Sequence, residues 1–170
     1  MAKTPNHLKD FFAKDDDSDD DRPPLTPEMV QAAEKSLGYR LPASYVELLE
    51  VRNGGYLKRN VFPTTQCPGW AEDHVPFDEV MGICSEDGID SETGSAYLIA
   101  EWDYPEVGVV ISTEGHTAFM LDYSECGSQG EPRVIWIDTE TGTDTPDVVV
   151  LAANFKEFLE QLREPDEGDS

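Results

Sequence analysis

Basic residues are the scarcest feature in the middle of this chain. Between residues 71 and 147 there are nineteen Asp and Glu and a single base, Arg133. That scarcity speaks against nucleic acid and against an anionic membrane as partners, because both are held by Lys and Arg set against phosphate. Cysteine is nearly as rare. Cys67, Cys84 and Cys126 are odd in number, widely spaced and never in a C-x-x-C pair, which speaks against a disulfide framework and fits a cytoplasmic protein with free thiols. No H-x-x-x-H accompanies them, and Cys67 with His74 is the nearest approach to a metal-ligand pair, so no metal is expected. Phosphate-cradling loops of the G-x-x-x-x-G-K-[ST] or G-x-G-x-x-G kind are absent, and with them the usual nucleotide cofactors. The longest aliphatic run, 148–153, is too short to span a bilayer. Lys3, Lys9, Asp10 and Lys14 interrupt the N-terminus, so no export signal is read there.

Catalytic patterns are also missing. No nucleophile-elbow sequence surrounds any of the three His or three Cys. The segment Asp87-Gly88-Ile89-Asp90-Ser91-Glu92 lacks the D-x-D-x-D-G order of a calcium loop. With 36 acids, some pair of carboxylates will always lie at a distance suited to hydrolysis. A two-carboxylate hydrolase is therefore the remaining enzyme reading, and its mark would be an acid pair with a raised pKa in a cleft.

What the chain does have is acid, unevenly spread. Its 170 residues carry 12 Lys and Arg against 36 Asp and Glu, a formal net charge of -24 at pH 7. Residues 1–22 hold seven acids and four bases, including Asp15-Asp16-Asp17-Ser18-Asp19-Asp20-Asp21, and read as an acidic disordered arm. Residues 23–70 are nearly neutral, with four acids and five bases. One domain over 23–163 and a solvated tail at 164–170 complete the division.

The elements follow from caps and periodicity. Thr26 and Pro27 open a helix with Val30, Ala33 and Leu37 on one face, closed by Gly38. A second helix starts with Pro42 in its first turn, sets Tyr45, Leu48, Leu49 and Arg52 along one stripe, and stops at Asn53-Gly54-Gly55. These two helices are expected to pair. Residues 54–76 read as a long connection ordered in part, with Tyr56, Phe62 and Trp70 to fold it down. Residues 75–83 read as a strand with a break or a strand followed by a turn, 85–95 as acidic turns, and 97–102 as either helix or strand. Strands are expected at 107–112, 117–123, 134–138 and 148–151, with Trp136 in the core. Thr113-Glu114-Gly115-His116 makes an antiparallel hairpin in which His116 is a turn residue. Asn154 with Glu157 caps a last helix bearing Phe155, Phe158, Leu159 and Leu162. Strands between terminal helices predict an α+β domain, with an antiparallel sheet of about 4–6 strands and helices from both ends of the chain packed against it.

Five phrases in order carry a resemblance. They are the Leu41-Pro42-Ala43-Ser44-Tyr45 helix closing in Asn53-Gly54-Gly55; Trp102-Asp103-Tyr104-Pro105; Gly115 through Leu121-Asp122-Tyr123; Val134-Ile135-Trp136-Ile137-Asp138; and the Phe-rich terminal helix. Over roughly 25–162 the chain resembles the SUKH superfamily, in the branch of the fungal cell-wall assembly regulator and its bacterial relatives. His116 departs from the Asn or Asp which that resemblance leads one to expect after Gly115. The resemblance implies the same α+β arrangement and a non-enzymatic immunity protein that neutralises a cognate toxin, in a family associated with nucleases among its targets. The alternative it leaves open is an intracellular regulatory or adaptor protein.

The residues point the same way. Trp70, Tyr97, Trp102, Tyr104 and Tyr123 are interleaved with Glu72, Asp73, Glu86, Asp87, Asp90, Glu92, Glu101, Asp103 and Glu106. Aromatic anchors within a rim of one charge have the composition of a protein interface, here for a basic protein. The competing reading makes the aromatics core and the acids solvated loop edges. The candidate partner-binding residues are Trp70, Glu72, Asp73, Glu86, Asp87, Asp90, Glu92, Trp102, Asp103 and Tyr104.

Overall fold

Two helix starts in this protein are set by a single capping side chain, and the first is drawn as its sequence predicts. The computed structural model describes residues 25–64, 74–83, 88–114, 116–140 and 145–164. Helix α1 (Pro27–Leu37) begins where the Thr26 hydroxyl accepts the Met29 N–H at 3.3 Å, and ends on Gly38 at φ 82°. Helix α2 (Ala43–Val51) buries Tyr45, Leu48 and Leu49. Pro42 is its extended cap rather than a residue of its first turn. The stop also differs from expectation. Arg52 is already extended, and Asn53-Gly54-Gly55 builds a tertiary joint instead of a glycine cap. The Asn53 side chain, 4% exposed with its residue, accepts the Ile83 N–H at 2.8 Å and donates to the Ile83 carbonyl at 2.6 Å. A Cβ on Gly54, at φ 91°, would lie 2.7 Å from the Gly82 nitrogen, so bare backbone is needed at this contact.

Two small antiparallel pairs follow. Strand β1 (Gly55–Tyr56) pairs with β4 (Glu79–Val80), and β2 (Val61–Pro63) pairs with β3 (His74–Pro76). Residues 75–83 are therefore a strand with a break. Phe77 turns fully inward at the break, where its N–H reaches the Asn60 carbonyl and the Asp78 carbonyl takes the Leu57 N–H, both at 2.8 Å.

The ambiguous stretch before the main sheet is helical, as α3 (Ser95–Trp102). The sheet itself runs β5 (Gly108–Glu114), β6 (Thr117–Asp122), β7 (Arg133–Asp138) and β8 (Asp147–Ala152), neighbouring in that order and all antiparallel. At the start of β5 a Cβ on Gly108 would fall 1.8 Å from the Leu121 carbonyl oxygen, which only glycine avoids. Helix α4 (Phe155–Gln161) closes the chain, with the Asn154 side chain accepting the Glu157 N–H at 2.8 Å.

Alternation sorts the sheet into two apolar faces. Val109, Phe119, Leu121, Val134 and Trp136 join one cluster with α2, α4 and the small strands. Aromatic rings interlock there: Phe62 stacks on Phe158 at 4.9 Å, Phe77 meets Phe158 edge-on at 4.9 Å, and Tyr45 meets Phe155 edge-on at 5.3 Å. Val110, Ala118, Met120, Ile135 and Ile137 form the second cluster, against which Leu98 and Ile99 of α3 pack. The α+β expectation holds, with α3 as an addition on the second face. Helices α1 and α2 do not interlock as a close pair. A groove of about 310 Å³, lined by Val30 and Glu34 on one side and Val46 and Glu50 on the other, runs between them. The arm at 1–22 lies outside the described residues. Among those described, no helix is long and apolar enough to cross a membrane.

Candidate functional site

Helix α3 is delivered to the surface by a tightly tied turn. Ile89 is fully buried, with its N–H on the Gly82 carbonyl at 2.9 Å and its own carbonyl accepting the Ser95 N–H at 2.8 Å. The Ser91 hydroxyl donates to the Gly88 carbonyl at 2.7 Å. This anchoring presents Asp90, half-buried, and Glu92, exposed, just before the helix. Ser95 then locks α3 to the sheet, its buried hydroxyl oxygen accepting the Val110 N–H at 2.8 Å.

The helix covers the sheet with little of itself. Ser95 is its one buried residue, while Leu98 and Ile99 are half-buried against the second core. Ala96, Tyr97, Ala100, Glu101 and Trp102 are exposed, with Tyr97 at 46% and Trp102 at 37%. Asp103 ends the helix at φ 57°, the one non-glycine residue with positive φ among the described residues, and its N–H bonds the Ile99 carbonyl. Asp tolerates this conformation better than most side chains. A carboxylate thus stands where glycine would close the helix more comfortably, with exposed Glu101 before it and exposed Glu106 after it.

Within residues 71–147 the one Lys or Arg is Arg133. Arg133 holds Asp122 at 2.7 Å and reaches Glu125 at 3.5 Å. Burial alone would raise the Asp122 carboxyl, but hydrogen bonds from Ser124 and Arg133 outweigh it and hold the group below the usual carboxylate range. The one Lys or Arg of residues 71–147 is thus paired with Asp122 and Glu125.

A cleft of about 490 Å³ opens along one flank of α3. Ser36, Leu37 and Tyr39 at the end of α1 form one wall, the Ile89-Asp90-Ser91 turn another, and Ser95, Ala96, Ile99, Glu106 and Gly108 the rest. Its negative character reaches inward. The buried Tyr45 phenol is pushed well up, first by burial and then by the Asp90 charge.

Of the residues singled out from sequence, Asp90 and Glu92 lie in the turn before α3, and Trp102 and Asp103 lie at its far end. Trp70, Glu72, Asp73, Glu86 and Asp87 lie outside the described residues. Tyr104 is taken out of the surface: it is 3% exposed, and its hydroxyl lies 2.7 Å from that of Thr113 and 3.3 Å from the Thr117 carbonyl, within the second core. Tyr123 is likewise buried, its ring 4.5 Å from that of Tyr39 and its hydroxyl donating to the Arg40 carbonyl. Of the described aromatics in that sequence set, Tyr97 and Trp102 stay at the surface; Tyr56 of β1, outside the set, is also exposed. Nothing local marks Ser36, Leu37 or Tyr39 as part of a site, because a distant fold contact brings them there. His116, expected only to turn the chain, also has its Nδ1 2.8 Å from an Asp138 oxygen.

A family model for the SMI1 / KNR4 family (SUKH-1) matches residues 24–161. The chain belongs to this family. The SUKH-1 match spans every element from α1 to α4, so α3 and its cleft are part of the matched domain. No curated protein matches the chain. Among the described residues of this SUKH-1 domain, no group of three or more His, Cys, Asp or Glu is placed to hold a metal ion. Cys126 is a free, exposed thiol, and Cys67 and Cys84 lie outside the described residues.

Proposed function

We propose that this SUKH-1 protein is a non-enzymatic immunity protein, which binds a basic cognate toxin in the cytoplasm and neutralises it by occupation. The observation that supports this most is α3: a helix showing Tyr97 and Trp102 to water, with exposed Glu92 before it, Glu101 on it, and Asp103 and Glu106 after it. Exposed aromatic rings supply desolvated contact area in an interface, and a rim of one charge speeds encounter with an oppositely charged partner. A nuclease carries a basic cleft for phosphate, and a surface of carboxylates can take the phosphates' place. The same surface serves a regulatory adaptor, whose partners would be several cellular proteins instead of one toxin.

The hydrolase reading gains little from the acid pair that best meets its mark. Glu114 is raised by burial first, then by a hydrogen bond and charge from Asp78. The hollow beside the pair, lined by Ser112, Thr117, Phe119 and Trp136 among others, is about 10 Å³. That is the space of one water, not of a sugar or peptide.

The test is capture from native lysate by the full chain, eluted in rising salt, with the Trp102→Ala and Tyr97→Ala variants run in parallel. A single basic protein, toxic alone and silenced on adding the chain back, with capture weakened at least about tenfold by Trp102→Ala, supports the reading. Several non-toxic partners point to the adaptor. A partner retained equally by both variants removes α3 as the binding surface.

A further inference from the structure

We propose that the cleft beside α3 receives one arginine side chain of the protein partner. This rests on reading α3 as the partner surface and adds what the neighbouring hollow is for. Ala96 and Ile99 belong both to the helix and to the cleft wall, so a partner seated on α3 reaches the cleft without leaving the contact area.

The lining selects the chemistry. Leu37 from α1 and Ala96 and Ile99 from α3 give apolar lining suited to a methylene stem. Asp90 and Glu106 add two carboxylates, Ser36 and Ser91 add hydroxyls, and among the described residues no base lines the cleft. An anion is repelled here, and an apolar group would strip water from the Glu106 carboxylate without replacing its hydrogen bonds. A cation on an aliphatic stem satisfies both halves. Between the two natural candidates, lysine offers one point charge, whereas the guanidinium presents five donors in a planar fork that can address acceptors on more than one wall. Tyr39 keeps the wall in place, its ring packed at 4.5 Å and 33° on that of Tyr123.

The probe is N-acetyl-arginine methylamide, titrated into the isotope-labelled full chain and followed by amide shifts. The citrulline counterpart, equal in length but neutral, and the lysine counterpart serve as comparisons. The expected result is a shift pattern centred on Ala96, Ile99 and Gly108, absent with citrulline, smaller with lysine and weakened about fivefold in Glu106→Gln. Ala96→Trp, which puts a ring at the cleft wall from an exposed helix position, is expected to abolish it. Shifts spread over the acidic surface and unchanged in both variants would overturn the proposal, as would equal binding of citrulline or of lysine. Trp102→Ala separates this from the broader reading. If that variant loses the captured partner while Glu106→Gln and Ala96→Trp keep it, α3 stands and the cleft fails; if the arginine pattern persists and Trp102→Ala keeps the partner, the cleft stands and α3 fails.

Discussion

The two faces of the four-stranded sheet carry similar apolar residues under very different covers. On the face of Phe119 and Trp136, α2, α4 and both small strand pairs close over the sheet, and Phe158 touches Phe62, Phe77, Phe119 and Phe155. On the face of Met120 and Ile135 the helix is α3, which has one fully buried residue and shows two aromatics to water. Packing density decides what each side can be used for. A ring locked among four others cannot change without loss of stability, whereas a helix held by Ser95, Leu98 and Ile99 leaves its outer positions open to contact chemistry.

The largest effect that would break this contrast is on the dense face. Phe158→Ala is expected to cost about 3–5 kcal/mol, read as the shift in urea midpoint times slope; a loss below about 1 kcal/mol would mean the rings are not the main core. Next comes the ion pair that silences the one local base. Arg133→Gln leaves Asp122 buried with its charge unmatched, an expected loss of about 2 kcal/mol given that Arg133 is itself part-exposed. The sign with pH follows from the lowered Asp122 pKa. Its contribution is present above the ordinary carboxylate value of about 4 and is lost as pH falls through the lowered folded value. Thermal melts from pH 7 to pH 2 are therefore expected to converge for wild type and variant at the acid end.

On the thin face the expected stability effects are small and the binding effects large. Asp103→Gly relieves a left-handed non-glycine residue and is expected to raise stability by about 0.5–1 kcal/mol, while removing a carboxylate from the rim. Stability up with partner association slowed would sharpen the contrast; stability down would show that the Asp103 side chain itself holds the helix end. Smallest of all is Glu114→Gln. A carboxyl raised above its ordinary value costs stability once pH exceeds that value, so the variant is expected to gain a few tenths of a kcal/mol at pH 7 and nothing at pH 3. Melts at those two pH values check it.

Much of the fold is legible because its signals are local. The Thr26 and Asn154 caps, the Gly38 stop, the strand alternation and the burial of Trp136 each depend on a few adjacent residues. The misread helix stop and the choice left open at 97–102 share a cause. Asn53-Gly54-Gly55 looks like a helix stop, and its use as a joint to Gly82 and Ile83 is set by a segment far along the chain. Residues 97–102 have no periodicity that separates helix from strand, and the choice comes from Leu98 and Ile99 meeting the second core.

The site divides in the same way. Sequence by itself determined the α+β class, the family, and the concentration of acid with a single base between residues 71 and 147, because charge and pattern are carried by the residues themselves. Only the tertiary structure decided that Arg133 is engaged with Asp122, that Tyr104 and Tyr123 are buried while Tyr97 and Trp102 face water, and that α1 lends a wall to the cleft. Burial is a property of what the rest of the chain places over a residue, and a tyrosine reads the same in the sequence whether it is covered or not.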